Sequence, residues 1–386
     1  MGGPARATLV LALAAAALPA AAATDRFVPA DANFVVANVR QSAPDAELRE
    51  QIARWRESPV DAASIELART FLERAHSRRE PMYVGRAESV LAAATRRPDA
   101  SIETRRLYAQ TLQYRHEFSA AEAILDGILE RTPFDAAART QRASVRLVRG
   151  DFSGARGDCA RLLATSSNSP VALACLAESH AGSGRLEQAR ALLAAYPLNP
   201  AGDAAERAYF LTVRAELAER ADALDRAIAD YRAALGAMPG EDATRAALAD
   251  ALIARGAATE AAGLLDVDRP SLALLVRRVS CTRGAQRERL RALASGLLEL
   301  EVARGDAPHR REAALLALEL GEVAPALDAA KQNFATQKEL ADVRVLARAA
   351  VAAGDEAARR ELGEWLRSSG FRDAFSEKIL GLPPRG

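Results

Sequence analysis

Lysine is almost missing from this chain: of 386 residues only Lys331, Lys338 and Lys378 are lysines, and aromatic side chains make up just 5%. There are three cysteines and four histidines, and the acids cancel the arginines to a net charge of +1. A near-neutral chain with no basic block lacks the phosphate-neutralising surface on which nucleic-acid binding rests. Cys159, Cys175 and Cys281 form no CxxC, and His76, His116, His180 and His309 are scattered without an HxxxH, so the converging ligands of a metal site are not expected. No GxSxG elbow, phosphate-binding loop or dinucleotide glycine pattern occurs. With 51 acids, paired carboxylates occur everywhere and discriminate nothing. Glu178-Ser179 matches a dipeptide of peptidoglycan-cleaving transglycosylases, but no segment departs from the helical pattern to build their lysozyme-like domain. The reading is a non-enzyme without a cofactor.

What the chain does have is alanine, arginine and an unusual start. MGGPARATLVLALAAAALPAAAA places Arg6 before a short apolar run, Ala7–Leu18, and then Pro19 and alanines that end near Ala23. That is the layout of a cleavable secretory signal. The run is too short to span a bilayer, which takes roughly 20 residues, and no later stretch is apolar enough. The expectation is a soluble product in the periplasm or secreted. Export also permits a disulfide, with an odd cysteine left over.

Residues 149–160 read RGDFSGARGDCA and residues 115–126 read RHEFSAAEAILD, 34 positions earlier. The same interval links Ala87, Ala121, Ala155 and Ala189; after a step of 38 it resumes from Ala227 to Ala261. Phe118, Phe152 and Leu186 keep it, as do Ala109, Ala143 and Ala177, and His116, Gly150 and Gly184. Four columns sharing one period signal a solenoid. The chemistry of each column fits two antiparallel helices, A and B. Small residues belong where backbones cross closely, glycine in the left-handed turn between helices, and a large apolar residue just after the turn. Pro133 and Pro239 stop second helices. Arg149-Gly150-Asp151 is then a turn plus a helix cap rather than an adhesion signal, and the copy at 304–306 falls in a similar context.

These motifs, LYAQTLQYRHEFSAAEAILDGILERTP (107–133) and LAERADALDRAIADYRAALGAMP (217–239) above all, resemble the tetratricopeptide repeat family. The whole chain also resembles signal-bearing bacterial tetratricopeptide proteins, through FVPAD, YVGRAESVL, LQYRHEF and REAALLALELGEVAPALDAAKQNFATQ. The resemblance implies an all-α, right-handed superhelical solenoid of about eight antiparallel helix pairs. The expected layout is a signal peptide at 1–23, then an extended arm and first helix at 24–58, with FVVANV as a short strand or extended segment. The repeat array follows at 59–270, divergent repeat-like pairs at 271–370, and a capping helix and tail at 371–386. In such an array Cys159 (a B helix) and Cys175 (the next A helix) face each other, either as a disulfide or as two small buried apolar residues. Cys281 is expected to be a buried free thiol.

The family's A helices line a concave face. Carried over through the turn alignment, its inward positions become Arg106, Gln110, Gln113, Tyr114, Thr140, Ser144, Glu178, Tyr209, Thr212, Glu216 and Glu219. This wall is polar and lacks the lysines and asparagines of the family's clamp for peptide carboxylates. The functional expectation is an exported scaffold that binds a protein or peptide in the groove. The alternatives are a self-associating envelope component and an envelope enzyme acting on glycans.

Overall fold

The structure, a computed structural model, describes residues 46–78, 82–166, 168–304 and 309–383. The expected signal peptide and the extended arm with FVVANV lie outside these residues, and the second RGD copy runs out of them. The described residues form twenty α-helices and no strand. After α1 (Ala46–Glu57) come nine antiparallel pairs, one more than expected. They are α2 (Asp61–Arg78) with α3 (Met82–Thr95), α4 (Ile102–Tyr114) with α5 (Phe118–Arg131), and α6 (Ala136–Arg149) with α7 (Phe152–Thr165). Next are α8 (Pro170–Gly182) with α9 (Leu186–Ala195), α10 (Ala204–Arg220) with α11 (Leu224–Ala237), and α12 (Asp242–Ala254) with α13 (Ala258–Leu264). The last three are α14 (Leu272–Cys281) with α15 (Gly284–Arg304), α16 (Arg310–Leu320) with α17 (Val323–Thr336), and α18 (Leu340–Ala352) with α19 (Glu356–Ser369). The short α20 (Ala374–Ile379) follows.

Local chemistry sets the helix ends. Side-chain oxygens of Ser101, Asp135, Asp151, Ser169, Asp203 and Asp355 each accept the backbone N–H three residues on, which satisfies a donor that the helix leaves open. Asp151 of the RGD sequence is thus a cap, and Gly150 before it turns the chain at φ 81°. The turn column holds beyond glycine: His116 and Asp222 both sit at φ 60°, in the left-handed region that non-glycine residues seldom enter. The step of 38 comes from the link between α9 and α10, which runs through YPLNPAGD, whereas α5 and α6 are joined by TPFD.

Packing follows the alanine columns. Ala87, Ala121, Ala155, Ala189, Ala227 and Ala261 are all fully buried, and so are Ala109 (1% exposed), Ala143 and Ala177. The B-helix column continues through the divergent half as Ala294, Ala326 and Ala358, where the sequence spacing shortens and hides it. Phe152 lies flat on Gly182: a Cβ there would fall 2.2 Å from the ring. Cys159 in α7 and Cys175 in α8 are disulfide-bonded, with Cα atoms 5.6 Å apart. Cys281 is half-buried and free.

The last units return to the turns of the middle ones. The backbone N–H of Lys338 donates to Val148 O at 2.7 Å, and the Lys338 chain lies over Gly150. Gly184 and Gly370 meet backbone to backbone, so a Cβ on Gly370 would stand 2.9 Å from Gly184 Cα. Phe371 packs on Phe152 and on Trp365, and one apolar core joins residues of α6, α7 and α8 to residues of α14 to α20.

Replacing Ala155 by leucine should cost about 1–3 kcal/mol by overpacking a site with no spare volume, whereas Ala120→Leu on the exposed face should be near neutral. Urea unfolding of the two variants checks this. Reduction of the Cys159–Cys175 bond should lower stability by about 3 kcal/mol through the freed loop, read as a shift of the same midpoint.

Candidate binding groove

The inner faces of α2, α4, α6 and α8 surround an open cavity of about 720 Å³. Arg106, Gln110 and Thr140, three of the positions expected to face inward, line it. The sequence alignment missed Arg69, Leu72, Gln141, Leu162 and Val171, which share the lining. Arg69 and Leu72 come from a pair upstream of the first clear repeat, and Leu162 reaches the groove from a B helix, so no turn column pointed to them. Gln141 is the immediate neighbour of Thr140 and was within reach of a broader stripe.

Charge in this cavity is neutralised in place. Arg69 pairs with Glu103, and Arg106 lies 3.6 Å from Asp135. The Thr140 hydroxyl donates to Ala136 O within its own helix. Gln141 Oε1, by contrast, is buried with no hydrogen-bond partner, an acceptor that costs about 1–3 kcal/mol while unmet. Gln113 donates to Ser144 at 3.2 Å and Tyr114 is 54% exposed, so these expected wall residues stand beside the cavity rather than in it.

The position of α6 is fixed by a charge knot. Asp158 of α7 is fully buried and accepts from Arg139, Arg142 and Arg146, one helix turn apart on α6. The Arg142 fork spans both Asp158 oxygens, at 2.9 and 2.6 Å. A buried carboxylate is tolerated only when so paired, and the aspartate's hydrogen bonds hold Arg142 well above the ordinary guanidinium range.

The other half of the expected wall is covered by the chain's own last units. Glu219 is buried, accepts from Tyr231 at 2.9 Å and pairs with Arg344 of α18, which also holds Asp373 at 2.7 Å. Arg220 donates to Ala181 O and to Arg372 O, and its guanidinium lies 3.8 Å above the Phe371 ring. Burial pushes Arg220 down to about 10, still protonated at neutral pH. Thr212 shares a 3.2 Å hydrogen bond with Thr244. The Tyr209 hydroxyl donates to Glu178 at 3.3 Å. Burial, and next the Glu339 carboxylate, push Glu178 up to about 7, and burial together with Glu178 raises Glu216 well above the glutamate range.

Among the described residues no group of three or more His, Cys, Asp and Glu side chains is arranged to hold a metal. No described helix is long and apolar enough to cross a membrane. His116 and His309 meet edge to face at 5.9 Å, and His309 contacts Glu301 at 2.8 Å. Burial, with His309 next, lowers His116.

Residues 147–212 match the tetratricopeptide repeat family model. The fold is similar to that in the crystal structure of the APC/C hetero-tetramer Cut9–Hcn1, with a TM-score of 0.51 at 15% identity over 86% of this chain and 66% of that one. A thermophilic TPR protein of Thermus thermophilus aligns at 21% identity over 51% of this chain and 99% of that one, with a TM-score of 0.39. A tetratricopeptide repeat protein from Parabacteroides merdae aligns at 14% over 73% and 98%, also at 0.39. No curated protein matches the chain.

Arg344→Met should cost about 3–5 kcal/mol, because it strands the Glu219 and Asp373 carboxylates without their partner. Chemical denaturation of that variant against Arg348→Met is the check, with the larger loss expected at 344.

Proposed function

We propose that this chain of tetratricopeptide repeats is an exported scaffold that holds an extended segment of a protein partner in the open part of its groove. The repeat architecture supports the scaffold role, since stacked helix pairs create the long concave surfaces on which such proteins bind. The observation that carries the reading is the open cavity of about 720 Å³ between four inner helix faces, lined by polar and apolar side chains together. Leu72, Leu107, Leu162 and Val171 offer apolar contacts, and the arginines are already matched by acids. A neutral segment, held by main-chain hydrogen bonds to Gln110 and by small apolar side chains, suits this lining. Export rests on the signal-like layout of residues 1–23 and gives the periplasm or the exterior as the place of action, with an envelope protein as the natural partner.

Two measurements test this. A photo-crosslinker in place of Gln110 should capture a partner in envelope extract of the host. Ala137→Trp, which fills the cavity from an exposed position, should reduce that capture roughly tenfold or more, as expected when a central contact is blocked. Undiminished capture by the filled variant would sink the groove assignment. Fractionation followed by sequencing of the mature amino terminus checks export: processing near Ala23 and recovery outside the cytoplasm are expected, and an intact cytoplasmic chain would refute it.

A further inference from the structure

α15 is the longest of the described helices, with 21 residues against 10 in its partner α14. Its inner side is ordinary: Leu290, Ala294, Leu297 and Leu298 pack into the large core shared with the last units. The outer side is not. Leu293 and Leu300 are 51% and 45% exposed, and they are the only exposed leucines among the described residues. Their spacing, two helix turns, sets both on one face. Ala292 and Gly296 stand exposed beside them, and a Cβ on Gly296 would meet nothing within 4 Å, so another backbone can come close. Arg289 and Glu299 mark the two ends of this face. Neighbouring charges are engaged: Arg287 holds Glu319, Arg291 holds Glu288, and Glu301 contacts His309. Arg289 and Glu299 are exposed and have no ion-pair partner among the described residues.

We propose that this face pairs with the same face of a second copy of the chain, helix against helix and antiparallel. The charge order selects that arrangement. With a two-fold axis at the level of Ala294, Arg289 of each copy stands level with Glu299 of the other, since each lies about 7.5 Å along the helix from the axis. The same axis sets Ala292 level with Gly296 of the second copy, so the helices approach where their residues are smallest. Leu293 then meets Leu293 of the second copy along one edge, which removes from water apolar surface that each chain alone exposes. A parallel two-fold pair would set arginine against arginine and glutamate against glutamate, which repel. One helix pair buries less surface than a standard interface, so association of micromolar order is expected. No residue of α15 lines the cavity, so this pairing and the groove reading can fail independently.

The test is sedimentation velocity of the full chain at low salt over roughly 1–100 μM. Wild type should move from one copy towards two as concentration rises. Leu293→Glu/Leu300→Glu, which alters only exposed positions, should remain a single copy throughout. Arg289→Glu should weaken pairing roughly tenfold, because the two-fold axis turns one reversal into two like-charge contacts. Glu299→Arg should do the same. An equimolar mixture of those two single variants should pair about as tightly as wild type, since each copy then offers the charge that the other needs. Wild type that stays a single copy over the whole range overturns the proposal and leaves the face to a different partner. Dimers untouched by the leucine changes place the contact elsewhere and overturn it too. A mixture that pairs no better than either single variant overturns the antiparallel arrangement.

Discussion

Close approach of backbones at the helix crossings is the constraint on which the rest of this structure depends. Two helices can pack at the short end of the usual 8–10 Å only where the contact residues are small, and the buried alanines from Ala87 to Ala358 supply that at each crossing. Because each pair stacks on the next by the same contact, small errors in spacing would accumulate along the array. The groove is therefore a product of the crossings: Arg106, Gln110 and Thr140 come to one wall because Ala109, Ala121 and Ala143 fix how far apart their helices lie.

Much of this was legible in the sequence. The 34-residue columns located the turns well enough that His116, an unlikely occupant by residue type, was placed in line with Gly150 and Gly184, and it does adopt their left-handed backbone. The register also brought Arg106, Gln110 and Thr140 to a common wall. The seam between the last units and the middle turns was not legible. Its partners lie far apart in sequence, 125 residues for Arg344 and Glu219 and 152 for Arg220 and Arg372, and no local pattern joins them. Repeat periodicity reports neighbour-to-neighbour packing and is silent on contacts between units several repeats apart. For that reason Glu219, aligned with the groove wall, is in fact consumed by an internal ion pair. The shortened spacing of Ala294, Ala326 and Ala358 hid the alanine column of the divergent half for a simpler reason: a period is lost when the linkers change length.

The preference for arginine over lysine also acquires a structural use. At Asp158 one carboxylate is held by three side chains from a single helix face, and the fork of Arg142 engages both its oxygens. Lysine offers a compact charge without that planar geometry. The same holds at Arg344, which bridges Glu219 and Asp373, and at Arg220, which divides its donors between two carbonyls while lying over Phe371. In an array with few aromatic side chains, guanidinium groups do part of the work of filling and joining the spaces between units.

The seam also gives the chain a history. The surface formed by Phe152, Gly182 and Gly184 is complete as soon as the middle repeats exist, yet its cover is built from the last residues to be synthesised. At about 5–20 residues per second, the stretch between Arg220 and Arg372 takes on the order of 8–30 s to emerge. Throughout that interval the nascent chain presents an unfinished apolar edge, which only the carboxyl-terminal segment closes. A ribosome that stalls or a message truncated before Phe371 would thus release a molecule with its helices in place and its adhesive side still bare.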